Sequence, residues 1–327
     1  ASAAPHATPP GPSRKPPLSH QASAAPQADA APRPTPVSRE RLGEAFDAPP
    51  ELAPGARFGA YRIVRQIGRG SMGAVYEATY QSGTSPQRLT LRVLPRGWST
   101  AGWTDWFRAA CHLVAGLDHP WIARLVDGGV ADDGTPFVAM EHVTGEEIDA
   151  YCRSRDVTLE DRVRLVLRVC TALEYAHQRL VVHRSVGPKN VLVTADGQPR
   201  LVNCGVARLL FGRPDTGEGL TRTGQSLFTP EFTSPEQVRG DLMTAASDIY
   251  ALGVLLYVLF TDHPPHELRD LTPPQMKQVI CERDPELPSR VVPASQRRAL
   301  ADELDAIVMK ALRKDPRMRY QSVTALA

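Results

Sequence analysis

Cysteine is scarce in this chain, apolar runs of membrane length are missing and net charge is close to zero, and each shortage removes a class of protein. The five cysteines, Cys111, Cys152, Cys170, Cys204 and Cys281, are odd in number, far apart and free of CxxC spacing. That pattern argues for reduced thiols in a cytoplasmic setting and gives little support to a disulfide framework, a zinc site or a redox pair. The longest apolar run, Ile249 to Phe260, is about a dozen residues, short of the roughly 20 that a bilayer needs and suited to a buried helix. No cationic-then-apolar signal pattern opens the sequence. Lysine and arginine (38) are interspersed among aspartate and glutamate (36) for a formal charge of +2, which leaves no electrostatic footprint for nucleic acid.

Aromatics are almost missing from the first 55 residues, which instead hold 13 of the 30 prolines together with much alanine and serine. Such a stretch cannot bury enough apolar area to offset its ordering entropy. Residues 1–57 are therefore expected to be a disordered Pro/Ala-rich linker, and residues 58–327 the folded domain.

That domain carries short motifs in a fixed order. Gly68-Arg69-Gly70-Ser71-Met72-Gly73-Ala74-Val75 is a GxGxxG, a weak signal alone because dinucleotide-binding folds use it at a strand-to-helix turn. Here Tyr61 to Ile67 precedes it and Ala74 to Tyr80 follows it, both patterned as strands. Leu89 to Leu94 reads as a third strand, with Thr90 and Arg92 on it. Trp106 to Leu117 places Phe107, Ala110, Val114 and Leu117 at helical spacing and leads into Asp118-His119-Pro120. Phe137 to Met140 reads as a fifth strand, followed by Glu141-His142-Val143. Thr158-Leu159-Glu160-Asp161 is a capping-box-like start to a helix with Val163, Val166, Leu167, Cys170 and Leu173 on one face. Val182-His183-Arg184-Ser185-Val186-Gly187-Pro188-Lys189-Asn190, Asn203-Cys204-Gly205, Thr229 to Gln237, the segment around Asp248, and Leu312 to Tyr320 complete the series.

From about Gly59 to the C-terminus these motifs resemble the Hanks-type bacterial Ser/Thr protein kinase family, in a degenerate, pseudokinase form. The resemblance implies an α+β, bilobal, protein-kinase-like fold: a small antiparallel β-rich N-lobe (58–141) with one long helix, and a larger, mainly helical C-lobe (142–327) whose last helix is cut short. It implies a nucleotide site built from Gly68, Gly70, Gly73, Val75, Thr90 as roof, Arg92, Met140 as gatekeeper, Glu141 and Val143 at the hinge, Asn190, and Leu192 as floor. His183, Arg184, Gly205, Asp248 and an ion pair of Glu236 with Arg319 would be structural. Thr221, Thr223 and Thr229 would be phosphoacceptors, with Arg184 as one phosphate partner, or simply surface threonines of a loop. His263-Pro264-Pro265-His266 reads as a proline-fixed loop in preference to a metal pair. The chain reads as a piece of a longer protein, and membrane contact is expected only through regions outside it.

Five positions depart from the family pattern. Arg92 stands where the phosphate-binding lysine belongs, and a planar guanidinium is no simple replacement for a compact ammonium. Ala110 stands at the helix glutamate, so the ion pair to the lysine position cannot form. Ser185 replaces the catalytic aspartate, Gly187 the catalytic-loop lysine, and Asn203 the metal-binding aspartate, a neutral amide being the poorer magnesium ligand. Asn190 alone remains as a weak metal ligand. A lost general base typically costs 10² to 10⁴ in rate. The expectation is a catalytically inactive scaffold or allosteric regulator in bacterial phospho-signalling, with an active kinase or another signalling protein as partner and weak ATP binding, metal-independent or weakly magnesium-dependent, that gates the interaction, or no cofactor at all. The alternative is a residual or unconventional Ser/Thr protein kinase that uses Asn190 and Arg92.

Overall fold

The computed structural model describes residues 50–70, 73–82, 85–95, 102–206, 209 and 229–327. The expected linker lies outside the described residues as far as 49. Its last part, 50–57, packs onto the sheet: the hydroxyl of buried Tyr76 donates to Pro50 O and accepts from Leu52 N, both at 3.2 Å. A buried phenol needs such partners, so contact with the sheet starts upstream of residue 58.

Six antiparallel strands form the N-lobe: β1 (Arg57–Phe58), β2 (Tyr61–Gly70), β3 (Gly73–Ser82), β4 (Ser85–Val93), β5 (Leu125–Val130) and β6 (Pro136–Glu141), in the order β1-β2-β3-β4-β6-β5. The strand expected as the fifth is sixth because of the two-residue β1. Alternation sends Tyr61, Ile63, Tyr76, Ala78, Leu89 and Leu91 to one buried cluster, as a pleated sheet with one covered face requires. The single long helix of this lobe, α1 (Trp103–Ala115), begins a turn earlier than the expected Trp106. Its first turn is held by Trp103 stacked on Phe107, with centroids 4.7 Å apart. Leu117, though buried, lies past the helix end at Gly116.

The C-lobe is mainly helical, with α2 (Ile148–Ser154), α3 (Leu159–Gln178), α4 (Pro235–Arg239), α5 (Ala245–Thr261), α6 (Pro273–Glu282), α7 (Pro288–Val291), α8 (Ala294–Leu300), α9 (Glu303–Ala311) and α10 (Val323–Leu326). A small sheet of β7 (Glu146–Glu147), β8 (Val191–Val193) and β9 (Pro199–Leu201) floors the cleft. Thr158 caps α3 by accepting from Asp161 N at 3.2 Å. Leu167, expected on the apolar face of α3, is instead exposed, while Leu165 and Val169 are buried: the buried stripe is centred one residue away from the expected one. Helix α5 is apolar on every side and buried from Ser247 to Thr261, the pattern of a central helix. Among the described residues no helix is long and apolar enough to cross a membrane.

Arg319 ties α4 to the C-terminal segment. It donates from Nη1 and Nη2 to both oxygens of Glu236, at 2.7 and 2.8 Å, and also to the carbonyls of Ala246 and Arg313, each at 2.7 Å. Burial raises the carboxyl pKa of Glu236, but the hydrogen bonds and charge of Arg319 prevail and leave it below its usual value. The pair's contribution is thus complete above the ordinary carboxylate range and is lost as pH falls through the lowered value. Arg319→Met leaves a buried carboxylate and carbonyls unpaired, so denaturant unfolding near neutral pH should show a loss of about 3–5 kcal/mol. An unchanged midpoint would show that the pair contributes little.

Candidate functional site: the interlobe cleft

Strands β2 and β3 converge at the glycine turn, where Gly70 faces Gly73 in register. Gly73 is the sterically demanding position, with φ of 101° and a notional Cβ only 2.1 Å from Val93 O. No such crowding exists at Gly68 or Gly70. Val75 lies opposite Arg92, and Thr90 opposite Met140, so the proposed roof, gatekeeper and cation share neighbouring strands. Met140 is buried and Leu192, on β8, is half-buried below. At the hinge the Glu141 side chain turns away to Arg200 of β9 at 2.7 Å, leaving the backbone of 141–143 along the cleft. Thr90 Oγ1 pairs with His142 Nδ1 at 3.1 Å.

The catalytic-loop segment hangs from Asp248 of α5. This fully buried carboxylate accepts from His183 N and Arg184 N at 2.8 Å each, and His177 Nε2 lies 2.8 Å from it. His183 in turn accepts from Ser185 N at Nδ1 (3.2 Å), so its proton sits on Nε2, which donates to Val202 O at 3.1 Å. Burial lowers its pKa and keeps the ring neutral. Gly205 follows Asn203 with φ of 75°, and its notional Cβ would strike Val114 of α1 at 2.6 Å. Only glycine lets this loop approach the helix so closely.

Between these parts the structure joins four of the six altered or retained positions into one ladder. Arg92 Nη2 donates to Asn203 Oδ1 at 3.4 Å, Asn203 Nδ2 to Asn190 Oδ1 at 2.8 Å, and Asn190 Nδ2 to Ser185 O and Oγ at 2.7 and 3.1 Å. A guanidinium at one end and a carbonyl at the other set the orientation of both amides. Ala110 is buried on α1 with nothing to offer Arg92, whose Nε is buried without a partner. Burial draws this guanidinium down to about 10. Magnesium, which usually accompanies ATP in the family that the sequence resembles, fits these residues poorly: position 203 carries no carboxylate, and the two amide oxygens are neutral and each already accepts one N–H group.

A cavity opens on the outer side of the loop, lined by Ser185, Gly187, Lys189, Thr229 and Phe232, with Glu147 and Asp149 at its edge. The Phe232 ring covers Gly187, 3.2 Å from where a Cβ would stand. Of the expected phosphoacceptors, Thr229 is exposed beside this cavity, while Thr221 and Thr223 lie outside the described residues. His266 of the proline loop faces Lys314 Nζ at 3.3 Å, and burial, with the charge of that lysine, lowers its pKa to about 4.

Sequence reasoning missed Glu77, a buried carboxylate on β3 directly across from Thr90 and held by Arg65 Nε at 2.9 Å and Arg88 Nη1 at 3.3 Å. The available signal was a glutamate on the face of β3 opposite Tyr76 and Ala78, in register with Arg65 of the neighbouring strand. The Glu141 to Arg200 bridge had none, since its partners are 59 residues apart.

A two-lobed domain with a glycine turn above, an aspartate-anchored loop below and a hinge between defines a protein-kinase-like fold. A model of the protein kinase domain matches residues 61–327, and the chain belongs to that family. It is 34% identical over 270 residues to a probable serine/threonine-protein kinase of Streptomyces coelicolor, covering 81% of this chain and 38% of that protein. With serine/threonine-protein kinase PknB of Mycobacterium tuberculosis it shares 32% over 224 residues (67% and 34%), and with serine/threonine-protein kinase pkn3 of Myxococcus xanthus 33% over 272 residues (81% and 48%). The chain thus spans less than half the length of these curated relatives. Among solved structures, the kinase domain of M. tuberculosis PknI superposes with a TM-score of 0.61 at 27% identity, over 84% of this chain and 96% of that one.

These relatives overturn the expectation of a catalytically inactive scaffold or regulator. Each is named a serine/threonine-protein kinase, and three of the altered residues, Arg92, Asn203 and Ser185, are joined through Asn190. The alternative, an unconventional kinase, fits better.

Asn203 has φ of 61°, tolerated by asparagine but strained for alanine by about 1–2 kcal/mol. Asn203→Ala should therefore lower unfolding free energy by about 2–3 kcal/mol, backbone strain adding to the lost hydrogen bonds. Asn203→Gly, free of that strain, should lose less. Equal losses in chemical denaturation would contradict this account.

Proposed function

We propose that the chain is the catalytic domain of an ATP-dependent Ser/Thr protein kinase that works with an altered set of charges. The observation carrying this reading is the ladder from Arg92 through Asn203 and Asn190 to Ser185, which keeps the phosphate side and the acceptor side of the cleft in fixed relation. ATP would lie with its adenine against the hinge backbone of 141–143, between Thr90 and Leu192, and its phosphates toward Arg92. A serine or threonine hydroxyl of a protein substrate would enter the cavity beside Ser185. The hydroxyl oxygen bonds to the γ-phosphorus, the bond to the β-bridging oxygen breaks, and ADP leaves. In a loose, metaphosphate-like transition state the acceptor needs little activation, and its proton passes late to a phosphoryl oxygen.

Positioning therefore carries most of the catalysis, at a rate reduced by the missing base. Thr221, Thr223 and Thr229 are proposed sites of self-phosphorylation, Thr229 because it is exposed at the cavity. The five cysteines are free and buried, in keeping with a reducing, cytoplasmic setting. Protein substrates, not nucleic acid, are the proposed partners, and any membrane contact would come through regions outside this chain.

Incubating the domain with ATP and a Ser/Thr-rich polypeptide, and counting phosphate by mass spectrometry, tests the reading. Wild type should transfer phosphate slowly, and Ser185→Asp should raise the rate by about 10² or more, the usual contribution of a general base. No transfer by either protein above an Arg92→Ala control would sink it.

A further inference from the structure

We infer that this cleft binds the phosphates of a nucleoside triphosphate directly on Arg92, with no divalent cation between them. The inference rests on the ATP-using reading above and concerns how the nucleotide is held. Arg92 is a half-buried cation whose hydrogen bond is a long one, 3.4 Å, to a neutral amide, and its Nε is buried without a partner among the described residues. Among the described residues no carboxylate pairs with it, because alanine and asparagine occupy positions 110 and 203. A desolvated charge left so poorly compensated is costly and favours an incoming anion. The guanidinium edge of Nε and one Nη matches two phosphate oxygens in the bidentate manner, and Nε is the atom left without a bond.

The rest of the ladder gives a metal little to bind and a phosphate little to repel it. Asn190 Oδ1 accepts from Asn203, and Asn203 Oδ1 from Arg92, so each of these neutral oxygens has one of its two acceptor sites in use and offers magnesium no negative charge. It normally takes one or two carboxylates along with the phosphates. It would also lie close to a guanidinium. In a cleft lined by acids a cation must neutralise the repulsion between carboxylates and phosphates. Here the charge on this wall is already positive, and the function usually met by metal and lysine together falls to one arginine.

Titration of the whole chain with ATP, adenosine and inorganic triphosphate, each in excess EDTA and in excess magnesium, is the test. Wild type should bind ATP equally, within about threefold, in both conditions. Arg92→Ala should weaken ATP and triphosphate by roughly 10- to 100-fold, the loss of a charge-assisted contact, while adenosine binding, unchanged, shows that the cleft remains folded. Asn203→Asp places a carboxylate against the guanidinium, so ATP binding should fall in EDTA and recover with magnesium. Wild-type binding of ATP only when magnesium is present, or an Arg92→Ala variant as tight as wild type, overturns the inference while leaving a magnesium-supported kinase intact. Absence of ATP binding in both conditions overturns it together with the kinase reading.

Discussion

Asp248 is the contact on which the remainder of the site depends. It sits in the first turn of a helix buried on all sides, where an ionised carboxylate is tolerable only if its oxygens are fully used. Two consecutive backbone N–H groups and an imidazole meet that need. In doing so they fix His183 and Arg184, the latter at φ of 67°, a conformation that a free loop would avoid. Ser185 and Asn190 then inherit their places from this anchor, and the buried pair of Glu236 and Arg319 secures the adjoining helix. The lower wall of the cleft is thus determined from beneath, independently of what faces the nucleotide.

This separation explains how the domain keeps its architecture after losing its acids. The glycine at 205 answers to the close approach of Val114, the glycine at 73 to the carbonyl of Val93, and neither requirement involves phosphate. Of the residues that changed, Arg92, Asn203 and Ser185 meet in the cleft through Asn190, while Ala110 joins the apolar core and Gly187 lies under Phe232. Substituting amide for carboxylate at 203 preserves its left-handed backbone and keeps a hydrogen bond to each lobe.

The fold was legible in the sequence because its determinants are local and ordered: a glycine pair between two strand patterns, a capped helix at Thr158, an all-apolar run around Tyr250 to Phe260. Arg92, Asn190, Asn203 and Ser185 were each identifiable from motif spacing. Their union was not, because amide orientation depends on three-dimensional neighbours, and 111 residues separate Arg92 from Asn203. The clamp on Glu77 and the pairing of Glu141 with Arg200 were hidden for the same reason. Leu167 was misplaced because a 3.6-residue period leaves several neighbouring apolar positions compatible with one face. The inference of inactivity failed at another level, since it was read from the missing charged groups alone, whereas the relatives that share this domain are named serine/threonine-protein kinases.

Charge and position make distinct contributions to phosphoryl transfer, and this cleft separates them. Holding reactants in line can supply several kcal/mol by itself, and it requires a rigid hinge, an anchored loop and a fixed distance between lobes. In the proposed reading the bridge from Glu141 to Arg200 and the ladder from Arg92 to Ser185 furnish these, with no carboxylate among the described residues paired to Arg92. Neutralising charge is the other contribution, and in the proposed reading it contracts to one guanidinium. A domain arranged in this way loses rate before it loses geometry, because the groups that set geometry lie beneath the reacting surface and the groups that set rate lie upon it.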